Sequence, residues 1–277
     1  MNETRLSVVI PVKDEQDTVG PLAEEIDRIF AHVDYSWEVV WVDDGSTDDT
    51  VRRIAELPPP HRLIRLDRNR GQSAALMAGF QAARGTWVGT LDGDGQNDPR
   101  DLDRQLAQAI SQGVDMVNGV RAHRHDNVVR RLSSRIANSV RNRLTRETVT
   151  DVGCSTRVVR RAVLLQLPFF HGMHRFLPTL VKMRGFSVTE MPVNHRKRTG
   201  GRSKYGINNR LWAGLRDLFG VRWLLTRQRV WVATEHTSVE RAALERVVAE
   251  HTLVSRSPRT HADERADDRE RVDGYVS

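Results

Sequence analysis

A single cysteine in 277 residues excludes an intrachain disulfide and a thiolate metal cluster. Cys154 is read as a packing residue, and the chain carries no mark of an oxidising compartment. Long apolar runs are also missing. The most membrane-like stretch, "LWAGLRDLFGVRWLLTRQRVWVA", is interrupted by Arg216, Asp217, Arg222, Arg227 and Arg229, each costly in hydrocarbon, so no transmembrane segment is expected. The strand-like "RLSVVIP" begins within a few residues of Met1 and leaves no room for a secretion signal; a cytoplasmic location is the expectation. The exit of that strand, "PVKDE", lacks the G-x-G-x-x-G of a pyrophosphate-cradling turn, which argues against a dehydrogenase. Nor do the basic stretches carry a helix-turn-helix pattern or stacking aromatics, so nucleic acid is not an expected partner.

What the chain does have is a net charge of +7, unevenly spread. Basic residues gather at 121–146 and again at 196–229, both after the acidic motifs. This order separates a cation site from an anion site and points to a phosphorylated ligand or an acidic membrane surface. The segment at 210–231, where Trp212, Leu215, Phe219 and Trp223 alternate with arginines, fits either a membrane interface or a helix packed on the domain.

Through the first 120 residues short apolar runs alternate with helical patterns. In "DTVGPLAEEIDRIFAHV", Val19, Leu22, Ile26, Ile29 and Phe30 recur at helical spacing. Gly85 is placed to stop the helix of "GQSAALMAGFQAAR", and Asp98 with Pro99 opens one that runs toward Gly113. Such alternation predicts an α/β fold with a mostly parallel, Rossmann-like sheet, helices on both faces, and ligands outside the carboxyl ends of the strands. The acids lie at those ends: Asp14 and Glu15 after the first strand, Asp43 and Asp44 after the second, Asp92 and Asp94 after the fourth.

In "TLDGDGQNDP" the repulsion between Asp92 and Asp94 must be offset by something, and a hard divalent cation, Mg²⁺ or Mn²⁺, suits two carboxylates and a ligand diphosphate. Gln96 adds an amide oxygen within reach, whereas Asp98 fits better as a helix cap. Asp48 and Asp49 are likewise assigned to a helix N-terminus, and Asp43 to a ribose or base edge.

Taken in order, "VVIPVKDE", "VDDGSTDDT", "NRGQSAAL" and "LDGDGQNDP" resemble glycosyltransferase family 2, with its nucleotide-sugar-binding GT-A fold. "DVGCSTR", "HRFLP" and "PVNHRKRTGGRSKYG" extend the resemblance to the branch of dolichyl-phosphate mannose synthases and bacterial polyprenyl-phosphate glycosyltransferases, over roughly residues 6–225. It implies that Pro11, Asp14, Glu15, Asp43 and the neighbouring Asp44 bind the nucleotide of the donor, and that Asp92, Asp94 and Gln96 hold the metal. It further implies that Arg121, Arg135 and Ser139 receive the acceptor's phosphate, and that Arg198, Arg202 and Lys204 lie on a loop closing over the donor. His174 and Arg175 are assigned to the acceptor cavity and His195 to positioning the closing loop. Lys13, Asp14 and Gln72 depart from the commoner family residues and leave base and sugar open.

The expected reaction is inverting, metal-dependent transfer of a hexose, mannose or glucose, from a GDP- or UDP-sugar to a polyprenyl or dolichyl phosphate at the cytoplasmic membrane face. A phosphate monoester is already anionic at neutral pH and needs no general base; it needs cations, for which Arg121 and Arg135 are the candidates. A soluble hydroxyl acceptor would instead require a carboxylate base, and a non-catalytic nucleotide-sugar or membrane-binding module would require neither. The expected organisation is a catalytic domain at 1–209, a helical appendage at 210–254 and a disordered polar tail at 255–277. The appendage includes a capping-box helix after Thr237, suited to docking in cis or to pairing two copies of the chain.

Overall fold

The computed structural model describes residues 4–121, 149–151, 153–196 and 207–227. The expected site residues Arg135, Ser139, Arg198, Arg202 and Lys204, the helix after Thr237 and the tail at 255–277 lie outside the described residues.

Strand β1 (Leu6–Val12) shows why the sheet forms where it does. Leu6, Val8, Ile10 and Val12 point to one apolar layer and Val9 to the other, all of them buried. With both faces dry, the strand reads as a continuous apolar run rather than an alternation. Helices α1 (Gln16–Phe30) and α4 (Arg100–Gln112) cover the first layer through Val19, Leu22, Ile26 and Phe30 and through Leu102 and Leu106. Helix α3 (Gln72–Ala82) covers the second through Ala75, Leu76 and Phe80. The remaining elements of this half are β2 (Trp37–Asp43), α2 (Thr50–Ala55), β3 (His61–Arg65), β4 (Trp87–Thr90) and β5 (Met116–Arg121).

Further along the chain come β6 (Arg157–Arg160), the short α5 (Arg161–Leu164), a 3₁₀ turn at Met173–Phe176, α6 (Leu177–Met183), β7 (Val188–Val193) and α7 (Ile207–Arg227). The seven strands are ordered β3-β2-β1-β4-β6-β5-β7. Pairing is parallel except that β6 runs antiparallel to both β4 and β5. That exception positions the site: Arg157, the first residue of β6, is paired with Thr90, the last of β4, two residues before Asp92.

Two helix ends follow the sequence closely. Asp98 Oδ1 accepts the Arg100 N–H at 3.1 Å as α4 opens, and Gly113 closes that helix at φ 63°. Gly85 does something else. Helix α3 ends at Ala82, and a Cβ on Gly85 would lie 2.7 Å from the Ser7 nitrogen and 2.8 Å from the Trp87 oxygen. Its role is close backbone approach beside β1 and not the helix stop that the sequence suggests. Gly85→Ala is therefore expected to destabilise the protein by about 2–3 kcal/mol through overpacking, measured by urea unfolding; a change within about 0.5 kcal/mol would reject this reading.

The expected boundary between 209 and 210 falls inside α7, whose Leu218 and Val221 are buried in the same apolar layer as α3 and α6. The opposite side of α7 exposes Phe219 and Trp223, each 62% accessible. Among the described residues, no helix is long and apolar enough to cross a membrane.

Candidate active site

The turns after β1, β2 and β4 are tied together at the carboxyl edge of the sheet. Asp14, at φ 47°, accepts hydrogen bonds at Oδ1 from the Thr47 N–H and hydroxyl, while its own N–H donates to Ser46 Oγ at 2.8 Å. The Thr18 hydroxyl donates to the Gly93 carbonyl at 2.7 Å, which fastens α1 to the turn carrying Asp92 and Asp94. Asp48 caps α2 through the Thr50 N–H, as expected of it.

The acids are not equivalent. Asp44, expected among the donor-binding residues, accepts N–H bonds from Arg70 and Gly71 at 2.6–3.1 Å. Its carboxylate fixes the 69–71 loop, because short N–H bonds in a 6% exposed position occupy both oxygens. Asp43 is fully buried; Oδ1 accepts the Ser46 N–H, while Oδ2 has no hydrogen-bond partner among the described residues and faces Arg65 at 3.8 Å. Glu15 donates its backbone N–H to Thr50 Oγ1, and Pro11 lies within β1, one residue before its end.

Asp92 and Asp94 lie on the turn after β4, and Asp92 lines a cleft of about 840 Å³. Burial, and then the charge of Asp94, pushes the Asp92 carboxyl above the usual carboxylate range, against the opposing pull of Arg157 and Arg121. Asp92 Oδ1 accepts a hydrogen bond from Gln72 Nε2 at 3.1 Å, and Asp94 Oδ1 accepts the Gln96 N–H at 3.2 Å. Gln96 donates through Nε2 to the Arg196 carbonyl, and its Oε1 has no partner among the described residues. The donor set is thus two carboxylates whose proximity is unfavourable without a counter-charge, plus one amide oxygen, all hard oxygen ligands. Mg²⁺ or Mn²⁺ fits it. Among the described residues, no group of three or more His, Cys, Asp or Glu is arranged to hold a metal, so such an ion would complete its shell with Gln96, water or ligand oxygens.

Sequence reasoning did not single out Asn97. Its side chain is 3% exposed; Oδ1 accepts the Asp92 N–H at 3.0 Å and the Ser155 hydroxyl at 3.2 Å, and Nδ2 donates to Thr156 Oγ1 at 2.8 Å. One amide therefore joins the turn carrying Asp92 and Asp94 to the segment entering β6. Arg157 was missed as well. It is 4% exposed and lines the cleft; Nη1 donates to the His174 carbonyl at 3.3 Å, Nη2 donates to the Cys154 carbonyl, and Nε has no partner among the described residues. The only sequence signal for these residues was their membership of "QNDP" and "DVGCSTR".

Arg121, expected at the acceptor's phosphate, makes a two-pronged ion pair with Asp151 through Nε at 2.7 Å and Nη2 at 2.8 Å. Its guanidinium is engaged by a buried carboxylate, and among the described residues Arg70, Arg157 and Arg175 are the cations that line the cleft. His174 also lines it, whereas His195 bridges to Asn97 where the chain leaves β7.

Arg196 anchors the start of the basic loop. Its Nη1 lies 2.9 Å from both Glu25 oxygens and its Nη2 lies 3.0 Å from Asp98 Oδ2, so the chain leaving β7 is clamped to α1 and the head of α4. Arg196→Ala is expected to cost about 1 kcal/mol of stability and to slow turnover roughly 10- to 100-fold by loosening that anchor. Melting curves and steady-state rates check this; an unaltered rate would detach Arg196 from the site.

The profile described as Glycosyl transferase family 2 matches residues 7–167. The dodecaprenyl-phosphate galacturonate synthase of Rhizobium johnstonii is 35% identical over 227 residues, covering 79% of this chain and 67% of its own length. The undecaprenyl-phosphate 4-deoxy-4-formamido-L-arabinose transferase of Edwardsiella ictaluri is 38% identical over 206 residues, covering 73% of this chain and 63% of its own. This chain thus spans about two thirds of the length of such relatives. Their sugars are neither the mannose nor the glucose expected from the sequence. Among solved structures, glucosyl-3-phosphoglycerate synthase from Mycobacterium tuberculosis, in complex with Mn²⁺, UDP and glucosyl-3-phosphoglycerate, superposes with a TM-score of 0.58 at 20% identity, over 83% of this chain and 82% of that one. The fold is the GT-A fold. On the extent of the profile match and the identity to these relatives, the chain belongs to glycosyl transferase family 2.

Proposed function

We propose that this protein transfers a sugar of the galacturonate or 4-formamido-arabinose class from a nucleotide to a polyprenyl phosphate. The observation that carries the choice of acceptor is the cleft lining. Asp92 is its sole carboxylate among the described residues, and the other charged groups on its walls are Arg70, Arg157 and Arg175. A hydroxyl acceptor needs a base to remove its proton, and no carboxylate besides the metal-binding one is offered there. A phosphate monoester brings its own nucleophilic oxygen and needs cations to bring it near a negatively charged donor.

Each part of the chain then has a task. Asp43, whose Oδ2 has no hydrogen-bond partner among the described residues, and Asp14, Glu15 and Pro11 would receive the nucleoside. Asp92, Asp94 and Gln96 would hold the divalent ion, which when bound neutralises the departing diphosphate. Arg157 and Arg175 would orient the attacking phosphate, with Arg135 and Ser139 as further candidates, and Arg198, Arg202 and Lys204 would close over the donor. Phe219 and Trp223 on α7, flanked by exposed Arg216, Arg222 and Arg227, suit peripheral attachment to an anionic bilayer that holds the lipid acceptor.

Purified protein given Mn²⁺, polyprenyl phosphate and labelled UDP- or GDP-sugars should move label into an organic extract. No transfer with any donor, from a protein that binds both nucleotide and metal, would reject this reading. A Phe219→Ser/Trp223→Ser double variant is expected to bind vesicles containing anionic lipid at least about tenfold more weakly in flotation; unchanged binding would place attachment elsewhere.

A further inference from the structure

His174, which lines the cleft, is held by a hydrogen-bonded serine that the transfer scheme above does not use, Ser73 of α3. Ser73, on α3 and 1% exposed, accepts the Gly172 N–H at Oγ at 3.0 Å, and the same oxygen lies 2.8 Å from His174 Nδ1. Among the described residues Ser73 Oγ has no other partner. A hydroxyl carries one proton and must donate it when buried, and the one acceptor within reach is His174 Nδ1. If Nδ1 instead carried a proton, Ser73 would accept twice and its own proton would be stranded in a dry site. The count therefore places the imidazole proton on Nε2.

We propose that His174 is a specificity-determining residue of the cleft, its Nε2–H, held in that tautomer by Ser73, donating a hydrogen bond to an oxygen of the transferred sugar.

The surroundings keep the ring a donor without making it a cation. Burial, and then the charges of Arg175, Arg157 and His171, press its pKa down to about 3. Arg175 and His171 are near it in sequence and Arg157 reaches it from β6, while Asp217 of α7 is 3.6 Å from Arg175. An uncharged donor is poorly suited to a phosphate dianion, for which the arginines serve, and well suited to a neutral sugar oxygen. Position agrees: Asp92, Arg157 and His174 line the same cleft, and Arg157 donates to the His174 carbonyl, so the imidazole borders the space that a ligand held at Asp92 would enter. A site built around a fixed donor penalises any sugar lacking the matching oxygen, because the donor is left unpaired.

The inference rests on the transferase reading for the identity of its ligand, so the test has one arm without substrate and one without turnover. In ¹⁵N-histidine-labelled full-length protein, long-range ¹H–¹⁵N spectra should show His174 protonated at Nε2, bare at Nδ1 and unchanged from pH 5 to 8; Ser73→Ala should lose that single tautomer. A proton on Nδ1, or a titration within that range, overturns the proposal. In the second arm, calorimetry with Mn²⁺ compares UDP-galacturonate with UDP. His174→Phe should weaken the sugar nucleotide about tenfold or more and leave UDP within about twofold, and His174→Gln, which still donates near the Nε2 position, should recover part of the loss. Equal weakening of both, or of neither, overturns the proposal, as does a wild-type protein that gains nothing from the sugar. Wild-type protein that binds the sugar nucleotide through His174 yet never transfers it would sink the transferase reading alone.

Discussion

Asp94→Ala is expected to lower the transfer rate by roughly 1000-fold, and Asp92→Asn by at least roughly 100-fold, because on the proposed reading each removes a ligand of the ion that neutralises the leaving diphosphate. The stability changes should run the other way. In chelator at neutral pH, Asp92→Asn is expected to be more stable than wild type by about 1 kcal/mol, since the fold pays to keep that carboxylate charged beside Asp94. Burial and Asp94 raise the folded-state pKa of Asp92 above its unfolded value. The stability belonging to the protonated acid is therefore present below the unfolded pKa and lost as pH rises through the folded one. The advantage of the variant should accordingly be greatest at neutral pH and shrink as pH falls through the carboxylate range. Adding Mn²⁺ should raise the melting temperature of wild type and leave Asp94→Ala nearly unmoved. Equal stabilisation of both proteins by Mn²⁺ would place the ion elsewhere.

Asn97→Ala should produce the largest loss of stability, about 2–4 kcal/mol by urea unfolding, together with a roughly 100-fold loss of transfer. The reason is geometric. The substitution strands the Asp92 N–H, the Ser155 hydroxyl and Thr156 Oγ1 in a buried or half-buried site, and it frees the turn carrying Asp92 and Asp94 from the segment entering β6. Asn97→Asp keeps the shape and the Oδ1 acceptor but loses the donor to Thr156, and it should fall between alanine and wild type in stability. If Asn97→Ala unfolds within about 0.5 kcal/mol of wild type, the amide is not the tie that joins the two strands.

The alternation of apolar runs and helical patterns was enough to read an α/β fold with acids at the carboxyl ends of β1, β2 and β4. Asp98 and Gly113 performed as helix signals because capping is local: a side chain bonding two residues on, or a left-handed residue, needs no partner from elsewhere in the chain. Gly85 misled for the opposite reason. Its use depends on how closely β1 passes, and no neighbour in sequence records that distance.

The same division runs through the site. Asp92 and Asp94 are separated only by Gly93, so their mutual repulsion was legible in six letters. That Asp44 spends its carboxylate on a loop, that Asp151 claims Arg121, and that Arg157 arrives beside Asp92 because β6 runs antiparallel to β4 are decided between segments tens of residues apart. Sequence alone determined the periodicities, the caps and the adjacent carboxylates, which are short-range properties of the chain. Only the tertiary structure decided which charges remain for a ligand, since a charge is used up by whichever partner the folded chain brings to it.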